Sequence, residues 1–216
     1  MPEPAVVRIE NGQFLENCYL LADEQAGEAV MIDPGEEPAR FLEELERRGW
    51  TLRAIWLTHA HLDHIAGVDV VRRATGARVW LHPGDARLYA GLPQQGAWFG
   101  LALDPLDPPD EELADRMRLA VGAHAFEVRH VPGHSRGSVC FVGEGLVVGG
   151  DVLFAGSIGR TDLPGGDFFT LLRSIHRELL PLPDQTALLP GHGPPTTIGA
   201  ERRTNPFLTG GAAGAR

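Results

Sequence analysis

The order of apolar runs in this sequence predicts an α/β protein built as a four-layer αββα sandwich. Two observations carry that expectation. Short β-like runs come first and a helix follows, twice over, which suits two sheets packed face to face with helices outside. Side chains able to hold a metal then recur just past the ends of apolar strands, where α/β proteins usually place their sites. The 216 residues are enough for one large core. Residues 1–208 are therefore expected as one domain, with 209–216 (TGGAAGAR) as a frayed tail.

The first half opens with strands NCYLLA and EAVMID around the turn-rich DEQAG. After DPGEEP, ARFLEELERRG carries Phe41, Leu42 and Leu45 at helical spacing and stops at Gly49. LRAIWLT reads as a fully buried strand, THAHLD as a loop, HIAGVDVVRRAT as a helix and ARVWLH as a further strand. Residues 91–112 (GLPQQGAWFGLALDPLDPPDEE) are proline-rich and read as a long loop. Structureless loops beyond about 12–15 residues are uncommon, so Trp98 and Phe99 are expected to pack it over something.

The second half begins with the strands RMRLAV and HAFEVRHV, then the loop PGHSRG. SVCFVGEGLVVGG reads as a hairpin around GEG, and DVLFAGSIGRTDLPGGD as irregular. DFFTLLRSIHRELL is an amphipathic helix, TALLP a last strand and GHGPPTTIG a loop before a terminal helix.

Composition excludes several classes. The chain is 43% hydrophobic and 22% charged, so neither disordered nor fibrous. No run approaches the roughly 20 apolar residues of a membrane helix, and MPEPAVVRIE lacks the features of a signal peptide. A cytoplasmic protein is expected. Cys18 and Cys140 sit singly in strand-like runs and read as buried thiols rather than a disulfide. The formal net charge of −10 argues against nucleic acid or an anionic membrane as partner.

The stretch THAHLDH carries the chemistry. His59 and His61 are two apart, so in an extended loop both point the same way and can hold one ion at about 2.0–2.1 Å. Asp63 and His64 follow where the chain turns into a helix; they aim elsewhere and could supply a second ion. Three further candidates lie at strand ends: His134 after HVPG, Asp151 after LVVGG and His192 after TALLPG. Each follows an apolar strand and a glycine. Singly, Asp63 reads as well as a helix N-cap, and His134 or Asp151 as turn residues; together they read as a cage. His82, His124, His130 and His176 lack that setting and read as surface or packing residues.

THAHLDH, PGHSRGS, GDVLF and PGHG together resemble the metallo-β-lactamase-fold pattern, in its short, single-domain glyoxalase II-like branch. The resemblance runs from NCYLL and MIDPG to ERRTNPF. It implies the αββα fold. It also implies that His59, His61 and His134 bind one metal, that Asp63, His64 and His192 bind the other, and that Asp151 bridges them. Two divalent ions are thus expected, zinc first, with iron or manganese equally suited to imidazole and carboxylate. Asp63 and Asp151, with a metal-bridging hydroxide, are the expected catalytic groups.

Such a pair of ions lowers the pKa of bound water towards about 7 and polarises a carbonyl. Thiolate needs little protonation to leave, so a thioester is the expected substrate, S-lactoylglutathione above others. Two divalent ions outweigh two aspartates and a hydroxide, which favours an anionic acyl group. Arg160, in GSIGRTD, either faces a substrate carboxylate, as the resemblance implies, or pairs with Asp162 or Asp167. Trp98 and Phe99 either line the substrate mouth or pack internally. Typical glyoxalase II enzymes carry a further helical domain, beyond where this sequence ends.

A second expectation is a persulfide dioxygenase with one iron on His59, His134 and Asp151. Those relatives usually have P-A-H-D where this chain has PGHG, and generally lack the GLPQQGAWFG insert. A lactonase ranks lower. A secreted β-lactamase would want a signal peptide, and a nuclease a basic surface.

Overall fold

Two six-stranded sheets, each with its own helices on the outside, make up the computed structural model, which describes residues 3–210. The first sheet takes its strands in chain order. β1 (Ala5–Asn11), β2 (Glu16–Asp23) and β3 (Glu28–Ile32) form an antiparallel meander. Helix α1 (Pro38–Arg48) leads to β4 (Thr51–Trp56), which lies parallel to β3. Helices α2 (Leu62–Ile65) and α3 (Val68–Thr75) lead to β5 (Arg78–Leu81); α4 (Ala86–Ala90) and α5 (Leu92–Trp98) lead to β6 (Glu111–Glu112). β4, β5 and β6 are all parallel.

The second sheet holds β7 (Arg118–Val121), β8 (His124–His130), β9 (Val139–Val142) and β10 (Leu146–Gly150), each antiparallel to the next. A two-stranded ribbon, β11 (Leu153–Phe154) and β12 (Ser157–Ile158), stands apart. After α6 (Phe168–Glu178), β13 (Ala187–Pro190) joins β10 in parallel, and β14 (Thr196–Thr197) precedes α7 (Ile198–Thr204).

The two-residue period of a strand explains the layers. On β2, Cys18 and Leu20 pack outward with Phe41, Leu45 and Val71 of the helices, while Tyr19 and Leu21 face the space between the sheets. On β10, Val148 faces that same space and Val147 packs outward with Leu171 and Ile175 of α6. Three cores result, and the order helix, sheet, sheet, helix follows. Trp56 anchors the middle one, 5.7 Å from Phe126 and 5.3 Å from Phe141 between ring centres. Cys18 and Cys140 lie buried in different sheets as free thiols, as their settings imply.

Four local expectations are corrected. Residues 91–112 are not one loop: Pro93, without an N–H, sits in the first turn of α5, the one helical turn where that donor is not needed. A strand, β1, precedes the expected opening pair; as an edge strand it alternates half-buried and exposed positions and so carries little apolar signal. The helix read over 64–75 breaks at Gly67 into α2 and α3. The stretch 151–167 contains the β11–β12 ribbon. Of the expected tail, Thr209 and Gly210 lie in a turn, while 211–216 lie outside the described residues, as do Met1 and Pro2.

Candidate metal centre

The strand ends converge. THAHLDH follows β4, His134 follows β8, Asp151 follows β10 and His192 follows β13. His134 Nε2 lies 2.8 Å from His61 Nδ1 and 3.2 Å from His59 Nε2. His192 Nε2 lies 3.1 Å from Asp63 Oδ2, which is 3.6 Å from His64 Nε2. Asp151 stands between the two groups, with oxygens 3.5 Å from His64 Nε2 and 3.6 Å from both His134 and His192 Nε2. All seven expected ligands are brought together, as two sets of three around one shared aspartate.

Close approach explains the glycines before these residues. Gly133 has φ +132, and a Cβ there would lie 2.2 Å from Leu171 N. A Cβ on Gly191 would lie 2.2 Å from Asp151 Oδ1. The last loop is also fastened from the opposite sheet: Asn17 Nδ2 donates to the carbonyls of Pro190 and Gly193, and Tyr19 OH to that of Pro190 at 2.7 Å.

Neighbouring groups fix the histidine tautomers. Thr58 Oγ1 donates to Asp33 Oδ2 at 2.5 Å, so it accepts from His59 Nδ1 at 3.0 Å and leaves the Nε2 lone pair facing the cage. His134 Nδ1 donates to the Arg160 carbonyl at 2.8 Å, and His64 Nδ1 to Asp33 Oδ2 at 3.0 Å. These three rings therefore present Nε2 inward, whereas His61 turns its Nδ1 to His134.

Asp33 also accepts from Thr58 N at 2.7 Å. It stands close enough to His59 and His64 to count among possible ligands. Both its oxygens are already occupied, so it orients the ligands instead. Sequence reading missed Asp33, although MIDPG was in view; its partners come from another strand end.

Two more anchors were missed. Asp85 is fully buried and accepts from Ala60 N at 3.1 Å, Ser135 Oγ at 2.6 Å and Gly137 N at 2.7 Å. It ties the His59–His61 loop to the His134 loop. Gln95, on α5, accepts from Leu62 N at 3.1 Å and donates to the carbonyls of Ala60 and Leu88 at 3.0 and 2.8 Å. No local pattern in the sequence marks either residue, since every partner but Leu88 is distant along the chain.

The residues fit cations. Ring nitrogens of His59, His61 and His134 converge, and buried His61 Nε2, His64 Nε2 and Asp151 Oδ1 have no hydrogen-bond partner. Burial, then the neighbouring imidazoles, hold His59 well below the ordinary histidine range. Burial and His134 bring His61 down to about 3. Neutral rings of this kind are what a metal takes. Burial alone would also lower His64 and His192, yet Asp63 and Asp151 outweigh it and raise both. These carboxylates demand positive charge, and a divalent cation meets that demand without protonating either ring.

The centre opens into a cavity of about 410 Å³ walled by Phe14, Leu88, Trp98, Phe99, Phe154 and Leu163. Trp98 and Phe99 are 55% and 50% exposed, which places them at the mouth rather than in a core. Phe99 meets Phe14 edge-on at 5.1 Å. Arg160 lines the same cavity, but its guanidinium pairs bidentately with Asp162 at 2.8 Å, one of its two expected internal partners. Asp167 instead caps α6 through Thr170 N. His82 and His130 lie outside the cage, stacked at 4.2 Å.

Comparison with known proteins gives concordant matches. A family profile described as the metallo-beta-lactamase superfamily matches residues 11–192. The hydroxyacylglutathione hydrolase GloC of Haemophilus influenzae is 40% identical over 199 residues, covering 90% of this chain and 93% of that protein. The crystal structure of TTHA1623 in a di-iron-bound form superposes with a TM-score of 0.87 at 44% identity, covering 94% of this chain and all of the other. That of the B3 metallo-beta-lactamase BLEG-1 does so with a TM-score of 0.89 at 42% identity, covering 95% and 100%.

Proposed function

Given that the chain belongs to the metallo-β-lactamase superfamily and carries its histidine-rich metal site, we propose that it hydrolyses a thioester, S-lactoylglutathione being the best single candidate. One observation carries this reading. The titratable side chains lining the cavity are those of the cage itself and Arg160, which is already paired with Asp162. A leaving group there finds no separate acid to protonate it. Thiols ionise near pH 8.5, so thiolate leaves from such a site more readily than an amine or an alcohol. The 40% identity with a hydroxyacylglutathione hydrolase supports the same class.

His59, His61 and His134 would hold one ion, Asp63, His64 and His192 the other, with Asp151 shared. When bound, the two ions supply Lewis acidity that polarises the acyl carbonyl and brings a water's pKa towards neutrality. The chain's own residues do the rest. Asp63 lines the cavity and would take the proton of the attacking water. Thr58, Asp33 and the Arg160 carbonyl keep the imidazoles in the required tautomers. Trp98, Phe99 and Phe14 exclude water around the thiol half. Zinc and iron both suit the donor set.

No described helix is long and apolar enough to cross a membrane. The net charge of −10 argues against nucleic acid or an anionic membrane as partner, while cations held in the cage would still favour a small anionic thioester.

The test measures metal per chain beside thiol release from S-lactoylglutathione, oxygen uptake with glutathione persulfide, and turnover of a β-lactam and a lactone. Two metals with thiol release are expected. One iron with oxygen uptake would establish a dioxygenase instead, and β-lactam or lactone turnover without thiol release would equally overturn the proposal.

A further inference from the structure

Most arginines in this protein are already neutralised. Arg47 and Arg48 share Glu44, Arg72 takes Asp110, Arg116 takes Glu127 and Glu178, and Arg202 and Arg203 share Asp184. Arg160, the cation in the metal cavity, is held by Asp162. Arg8 donates to the Gly193 carbonyl and Arg173 to Thr170 Oγ1. Among the described residues, Arg87, Arg118 and Arg136 are left without a hydrogen bond or ion pair at the guanidinium.

Two of these three share one place. Arg87 and Arg136 line a cavity of about 260 Å³ whose wall also includes Asp85, Gly84, Leu88 and Pro164. Leu88 and Pro164 line the metal cavity too, so the two spaces adjoin across these side chains. Arg136 lies two residues beyond His134, and Arg87 two residues beyond Asp85, whose hydrogen bonds from Ser135 and Gly137 hold the two segments together. Asp85, which also lines this recess, is buried and accepts from those donors and from Ala60 N, and neither guanidinium is hydrogen-bonded to it. In a chain of net charge −10, two arginines that line one recess with no ion pair of their own are not a default surface.

We propose that Arg87 and Arg136 form an anion-binding subsite beside the metal cavity, which takes a carboxylate or phosphate on the thiol-bearing half of the substrate. The proposal rests on the thioester reading of the metal centre. A guanidinium presents a planar fork that matches either group. The apolar wall of Leu88 and Pro164 between the two recesses suits the aliphatic chain that separates a thiol from its acid group. The acyl end then lies over the cage and the anionic end over the arginines.

The test compares Arg87→Ala, Arg136→Ala and the double variant with wild type, using Arg118→Ala as a control for loss of an unpaired surface charge. Three substrates are used: S-lactoylglutathione with carboxylates, lactoyl-coenzyme A with phosphates, and the uncharged lactoyl thioester of N-acetylcysteamine. The readout is the ratio of kcat/KM on each anionic substrate to that on the uncharged one. Each single variant should lower the ratio about three- to tenfold for the preferred anion, and the double variant more, as expected of exposed charge-assisted hydrogen bonds. The substrate whose ratio falls identifies carboxylate or phosphate as the group.

A second measurement needs no turnover: calorimetric Kd values for glutathione and coenzyme A. One of them should weaken by a similar factor in the double variant. Unchanged ratios and Kd values, equal losses in Arg118→Ala, or a wild type that binds neither thiol would overturn the subsite. Failure of wild type on all three thioesters, with thiol binding still dependent on the arginines, would sink the thioester reading while leaving the anion site standing.

Discussion

Asp85→Ala should loosen both histidine loops at once. The wild-type carboxylate is fully buried: its Oδ2 accepts from Ala60 N and Ser135 Oγ, and its Oδ1 from Gly137 N. Alanine leaves two buried backbone N–H groups without partners, at about 1–3 kcal/mol each. Ser135 keeps Ser138 Oγ at 2.7 Å and is not orphaned. Part of that loss is returned, because burial raises the Asp85 pKa and the carboxylate is held at some cost. A net loss of about 2–4 kcal/mol is expected, out of roughly 5–15 for a domain.

Asp85→Asn separates the contributions. Its carbonyl can keep Ala60 and Ser135 while its NH2 turns against Gly137 N–H, so about half the loss is expected, on the order of 1–2 kcal/mol. Urea unfolding of the metal-free protein reads the stability. A competing chelator reads metal affinity, which should fall about 10–100-fold in the alanine variant, as for other groups that support ligands. An alanine variant within about 0.5 kcal/mol of wild type, with unchanged metal affinity, would refute the idea that Asp85 fastens the cage.

Gln95→Ala detaches α5 from the THAHLDH loop; a loss of about 2–3 kcal/mol in urea unfolding is expected from the orphaned Ala60 carbonyl and Leu62 N–H. Asp33→Ala frees His64 Nδ1 and Thr58, and should lower metal occupancy by about 10–100-fold at limiting metal, measured by chelator competition. Trp98→Ala and Phe99→Ala remove half-exposed rings at the mouth, so they should change the melting temperature little while raising KM for the thioester; equal KM values would make them bystanders. Hydrogen bonds from Arg47 and Arg48 hold Glu44 down at about 2, below its ordinary 4.5. Its contribution is therefore complete above about pH 4.5 and lost as pH falls towards 2. Glu44→Gln should cost about 1 kcal/mol at pH 7, after allowance for solvent screening, and progressively less as pH falls through about 2.

The pattern of strands and the residues just beyond them is written locally, and the sequence by itself determined it. A buried strand needs an unbroken apolar run, and a ligand loop needs imidazole or carboxylate immediately after it. THAHLDH, PGH, GGD and PGH therefore mark their own positions. The two-residue period of β2 and β10 likewise dictates that each sheet has two buried faces, and so a four-layer order.

What holds the cage was decided by the tertiary structure. Apart from the Gln95–Leu88 contact, Asp33, Asp85 and Gln95 act on partners more than twenty residues away, across strand ends that only the folded sheets bring together. Arg160 reads from the sequence as facing either a substrate or an internal acid, and only the fold shows it paired bidentately with Asp162 at the cavity wall. The edge strand β1 and helix α5 were hidden because half-exposed or proline-containing segments lack the apolar period that betrays buried elements. Arg87 and Arg136 show the same limit. Charge appears in a sequence, but whether that charge is already paired depends on distances that only the fold sets.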